Sequence, residues 1–110
     1  SQDGVPFAYC VIEGSSGTST LSSMSTFPDR KRAIDSLQAQ YESLQEFWKP
    51  SLQKIGEDDQ LIITNLGFEY DFIFTACTTT FNIRFSELAE FEVFLSNNLG
   101  AIQQYACNLN

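Results

Sequence analysis

Between residues 68 and 77 the chain reads Phe-Glu-Tyr-Asp-Phe-Ile-Phe-Thr-Ala-Cys. Phe68, Tyr70, Phe72, Phe74 and Ala76 take alternate positions, with Glu69, Asp71, Ile73, Thr75 and Cys77 between them. Side chains of a strand alternate between two faces, so this run predicts a β-strand with an aromatic face. A helical pattern precedes it over residues 26–55. Ile34, Leu37, Tyr41, Leu44 and Trp48 recur at spacings of three and four, with Ala33 and Phe47 beside them. Together the two patterns predict an α+β fold. The expected architecture is an antiparallel sheet of four to five strands packed against one long helix and a C-terminal helix, both on one face in a two-layer arrangement.

The 110 residues are read as a single domain, 1–110, of a size that buries roughly two thirds of its unfolded surface. Residues 6–13 are expected to form a central strand, because both of its faces are apolar. Residues 14–25 are small and polar and predict a flexible loop, with a short edge strand over 20–24. Thr26 is the expected helix N-cap, paired with Asp29 in a capping box. Pro50 is expected to kink the helix or to break it into a short second helix through Leu52 and Ile55. From 26 to 49 such a helix is about 36 Å long. A domain of this size has a radius of gyration of only about 13 Å, so one helix end is expected to protrude.

Residues 56–59 read as a sharp acidic loop, 61–64 as a short strand, 65–67 as a turn using Gly67, and 81–85 as another strand. Residues 86–107 carry a helical period with Ser86 as N-cap and a kink at Gly100. Residues 90–95 also alternate as a strand does, and length favours the helix.

Fourteen acids against six bases give a net charge of −8. That field repels nucleic acid. The cluster Arg30, Lys31, Arg32 is read as a solvated helix face. No apolar run approaches the ~20 residues of a membrane-spanning helix. The chain starts at Ser1 without Met, as a mature secreted protein or an excised segment does. Cys10, Cys77 and Cys107 are too few for a disulfide scaffold. Either one pair closes in an oxidising compartment, with Cys10–Cys107 as one possible tie, or all three are small buried hydrophobes. Secretion is the favoured localisation and the cytoplasm the alternative.

The composition argues against an enzyme. The chain has no His, the commonest general base. Glu57, Asp58 and Asp59 read as a solvated turn, since they lack the spaced ligand pattern of a calcium loop. Glu87, Glu90 and Glu92 read as the acidic start of a helix. Neither a metal nor a cofactor is expected. The aromatic set Phe68, Tyr70, Phe72, Phe74, Phe81 and Phe85, with Ile83, reads first as a filled core; its alternative is a pocket for a small apolar ligand. Tyr41, Phe47 and Trp48, beside Pro50, are the candidates for partner contact, in competition with core burial.

Asp3-Gly-Val-Pro6, followed by the strand over 7–13, resembles the lead-in to the second strand of roadblock-type domains. The order that follows, a long helix, antiparallel strands and a final helix, is similar too, although that family's first strand has no counterpart. The resemblance implies an intracellular roadblock/longin-like dimeric scaffold for small GTPases, with no catalysis of its own. The residues themselves favour a small, acidic, secreted module that binds a protein partner or self-associates.

Overall fold

The structure is a computed structural model that describes residues 20–109. The strand expected over 6–13, Cys10 and residues 14–19 of the expected loop lie outside the described residues, as does the segment 3–6 that carries the roadblock resemblance. The element order is β1 (Thr20–Thr26), α1 (Arg30–Leu44), β2 (Ser51–Ile55), β3 (Asp59–Asn65), β4 (Tyr70–Ala76), β5 (Thr79–Phe85) and α2 (Leu88–Cys107). The strands form one antiparallel sheet in the order β1-β5-β4-β3-β2. The α+β class expected from the sequence is therefore present, with five strands, a long helix and a C-terminal helix among the described residues.

Three tight turns build the β2–β5 meander. Gly56 (φ 61°) turns β2 into β3, and Gly67 (φ 99°) turns β3 into β4. At the second turn the Asn65 side chain accepts a bond from the Gly67 N–H at 2.8 Å. Cys77, with φ 55°, takes the left-handed conformation in the β4–β5 turn, and Ala76 pairs with Thr79 across it. β1 then lies along β5, from Thr20 opposite Arg84 to Thr26 opposite Thr79. The short edge strand expected over 20–24 is thus present and continues through Thr26, past the expected end of the loop at 25.

The long helix is shorter than its hydrophobic period suggests. Asp29, not Thr26, is the N-cap: its carboxylate accepts from the Arg32 N–H at 2.9 Å. Thr26 closes β1 instead and shares a side-chain hydrogen bond with Thr79. The helix stops at Leu44 and unwinds through a turn, with the Trp48 N–H donating to the Leu44 carbonyl at 2.9 Å. Pro50 disfavours helical geometry at Lys49 and has no N–H to offer. The chain restarts as β2, so the expected second helix through Leu52 and Ile55 is a strand. Pairing of Leu52 with Ile62 and Ile55 with Asp59 overrides the helical spacing. At 15 residues, about 22 Å, α1 fits within a body of 35 × 31 × 24 Å and no long end protrudes.

The helices lie on opposite faces of the sheet, where the sequence reading put both on one; each makes a two-layer packing with its own face. Phe72, Ile73 and Phe74 are all buried, so β4 needs cover on both sides. Phe72, Phe74, Phe81, Ile83 and Phe85 meet Phe91, Phe94, Ile102 and Ala106 of α2 in the larger core. Ile62 and Ile73 meet Leu37 of α1 on the other face, with Tyr41 and Leu44 alongside. α2 runs unbroken through Gly100. Its N-cap is Glu87 rather than Ser86, and Glu90 turns back to accept from the Glu87 N–H at 3.2 Å.

Candidate functional site

The aromatic set divides between interior and surface. Phe72, Phe74, Phe81 and Phe85 are buried, and rings from α2 fill the space above them. Tyr70 is half-buried, 6.3 Å from Phe72 between ring centroids. Phe68 lies outside the strand and is 78% exposed. The structure brings the first four together as core and leaves Phe68 apart from them.

The sheet register sorts the surface into two unlike ends. At one end lie the β2–β3 and β4–β5 turns, the start of α1 and the last turns of α2. Asp59 is buried there, although it was expected in a solvated acidic loop. Its Oδ1 accepts from Arg30 of α1 at 3.2 Å and from the Thr75 hydroxyl of β4 at 3.0 Å. Its Oδ2 accepts from Gln103 of α2 at 3.1 Å. One carboxylate therefore ties both helices to the sheet. A disulfide between Cys77 and Cys107, with Cα atoms 5.1 Å apart, joins the β4–β5 turn to the end of α2 at the same place. The pairing differs from the Cys10–Cys107 tie considered above. Asp58 stays exposed, 4.0 Å from Arg30. Among the described residues no group of His, Cys, Asp and Glu is placed to hold a metal ion.

The opposite end carries exposed aromatics. Phe47 (83% exposed) and Trp48 (42%) sit in the turn between α1 and β2, and Phe68 sits in the β3–β4 turn. Leu88, partly exposed, opens α2 at this end as well. Tyr41 is not part of this surface, because it packs beside Leu37 against the sheet. Sequence reasoning placed Phe68 in the strand. The signal for its exposure was local: it directly follows the Asn65-Leu66-Gly67 turn, where an apolar side chain has no sheet neighbour.

Between the ends, α2 sits mainly over β4 and β5 and, among the described residues, covers the adjoining face of β2 and β3 only in part. The result is an open groove of about 430 Å³. Ile55, Leu61 and Ile63 form its floor, and Leu88, Phe91, Leu95 and Leu99 form its helical wall. The spacing of those four wall residues was legible as a helix face. That the helix would cover only part of the sheet was not. Among the described residues β2 is an edge strand, exposed from Ser51 through Lys54.

On the α1 face, Arg84 donates to Asp71 at 3.1 Å and to Glu69 at 3.2 Å. The hydrogen bond to Asp71 is the main reason that the Arg84 guanidinium holds its proton above its ordinary range. The three bases read as a solvated cluster are each paired within the chain: Arg30 with Asp59, Lys31 with Asp35 and Arg32 with Asp29.

The fold and surface define an α+β domain with an aromatic end and an apolar groove. Comparison with protein-family models, curated proteins and solved structures finds no match. No helix among the described residues is long and apolar enough to cross a membrane.

Proposed function

We propose that this chain is a non-enzymatic protein–protein interaction module that meets its partner through the end bearing Phe47, Trp48 and Phe68. One observation carries the reading: three aromatics from two separate turns are exposed at one end of the sheet, while the other end is tied by Asp59 and a disulfide. Large exposed aromatics bury much area at low entropic cost and are enriched among residues that dominate binding. The Cys77–Cys107 bond fits an oxidising compartment, which supports secretion. The charge of −8 disfavours a nucleic-acid partner.

The test is a photo-crosslinking phenylalanine analogue at position 68, used in a native extract or secretion medium of the source cells. The expected result is one discrete protein adduct, lost in Trp48→Ala and absent when the analogue replaces Gln40 on the outer face of α1. An adduct of twice the chain mass identifies self-association. If position 68 gives no discrete adduct, or one that Gln40 gives equally, the reading falls.

A small apolar ligand is the second reading, and the groove now favours it over the expected Phe72/Phe74 site. Its volume of about 430 Å³ lies within the range of small-molecule sites. A thermal-shift screen with fatty acids and retinoids tests it. Stabilisation that Leu95→Glu removes supports it, and no shift with any ligand removes it.

A further inference from the structure

We propose that the groove between α2 and the β2–β3 hairpin receives an extended segment of a partner protein, apolar at alternate positions and basic between them, added as a strand along β2. This rests on the reading of the chain as a protein-binding module and names the chemistry of the partner.

Three observations converge. First, β2 is the outer strand among the described residues, and a single neighbour, β3, pairs with it. Its outward N–H and C=O groups offer a new strand a full set of hydrogen bonds, the mode by which extended peptides extend a sheet. Second, a strand beside β2 turns every second side chain toward α2. Those side chains are about 6.8 Å apart. The apolar wall from Leu88 to Leu99 is about 16 Å long, so it accepts two or three of them.

Third, the one charged side chain in the groove lining is an acid. α2 carries no Lys or Arg over its whole length, and Glu92 stands in the groove wall. Glu57 follows Gly56 of the groove lining, and Glu87 precedes Leu88 where α2 begins. Basic residues in the incoming segment complement these acids. A second copy does not: it brings the same charge of −8, and its own basic cluster is already paired internally. Pro50 and Lys54 also blunt the edge against indiscriminate pairing.

The experiment uses the full chain, labelled for amide and methyl NMR, and an acetylated, amidated eight-residue peptide that alternates leucine with lysine or threonine. The expected result is saturable micromolar binding that shifts the Ser51–Lys54 amides and the Leu95 and Leu99 methyls. Replacing the peptide lysines with glutamate weakens it by about tenfold or more. Glu92→Lys, at an exposed position that leaves the spectrum otherwise intact, weakens it about three- to tenfold. N-methylation of the peptide nitrogens that face β2 abolishes binding, and N-methylation of those facing away does not.

Absence of saturable shifts overturns the proposal. So does equal binding of the glutamate peptide, insensitivity to N-methylation, or shifts confined to Phe47, Trp48 and Phe68. A discrete crosslink from position 68 with no peptide binding in the groove keeps the module reading and removes this one.

Discussion

The ring of Phe91 in α2 lies flat on Phe72 of β4, with centroids 3.8 Å apart and planes within 8°. Phe91 also meets Phe74, Phe85 and Phe94 within 6.2 Å between centroids, so one side chain fastens the C-terminal helix to the sheet. Phe91→Ala is expected to cost about 3–5 kcal/mol, the sum of lost transfer energy and the cavity left behind. Phe91→Leu is expected to cost about 1–1.5 kcal/mol. Urea denaturation measures both; an alanine variant within about 1 kcal/mol of the parent rules out this packing.

Asp59 is a second fastening, made of hydrogen bonds rather than rings. Asp59→Ala leaves Thr75 and Gln103 without their acceptor and Arg30 without its nearer ion pair. The expected loss is about 2–3 kcal/mol, since bonds to a charged group exceed ordinary ones and Arg30 is partly rehydrated. Asp59→Asn keeps an acceptor and is expected to lose about half as much. Equal stability of the parent and the alanine variant in urea shows that the carboxylate is not a shared tie.

Gly56 bears on the same site. With φ +61°, any Cβ there is strained, and it would stand 3.0 Å from the Gln103 Nε2 that holds Asp59. Gly56→Ala is expected to destabilise by about 1–2 kcal/mol. Gly67→Ala, whose Cβ enters open space, isolates the backbone part of that effect. If the two variants match, Gln103 has yielded freely and contributes nothing at position 56.

The sequence carried the strands and missed their surroundings, for reasons visible at particular residues. Residues 70–76 and 81–85 follow a period of two closely enough that both strands were legible; the turn at Cys77 and the register were not. The helix was over-extended because Leu52 and Ile55 continue the spacing of Leu44 and Trp48, and only pairing with β3 distinguishes the two. The apolar character of Ile62 and Ile73 signalled a second buried face, yet it did not say that α1 covers it. Asp59 looked solvated beside Glu57 and Asp58; its burial depends on Arg30 and Gln103, which are 29 and 44 positions away. Of the partner-contact residues, Phe47 and Trp48 are on the surface and Tyr41 is packed inward. The groove left no mark in the sequence, because it depends on how far α2 extends over β2 and β3.

The Cys77–Cys107 bond closes a loop of 30 positions. In the chain-entropy account, a loop of that length contributes about 3–4 kcal/mol. Cys107→Ser is expected to lower stability by about that amount, with reductant lowering the parent to match. Non-reducing peptide mapping is expected to find the peptides of Cys77 and Cys107 joined. A link from either to Cys10 overturns the pairing.

Lys31 donates to Asp35 one helical turn on, at 2.7 Å, and that hydrogen bond raises its pKa above the ordinary 10.5. A cation whose pKa is raised by folding stabilises the fold fully below its unfolded pKa. That stability is lost as pH rises through the folded value. Asp35→Asn is expected to bring the Lys31 titration, followed by side-chain NMR, back toward 10.5. An unchanged titration means that the pair does not persist in solution.

The uneven placement of fastenings has a consequence for motion. Asp59 and the disulfide tie together the end where the β2–β3 and β4–β5 turns meet the helix termini. Amide hydrogen exchange is therefore expected to be slowest around residues 59–60 and 75–79, with opening expected to start from the end that holds Phe47, Trp48 and Phe68. The proposed partner would meet there the half of the molecule with fewer ties, able to reshape against a half held by the carboxylate and the disulfide.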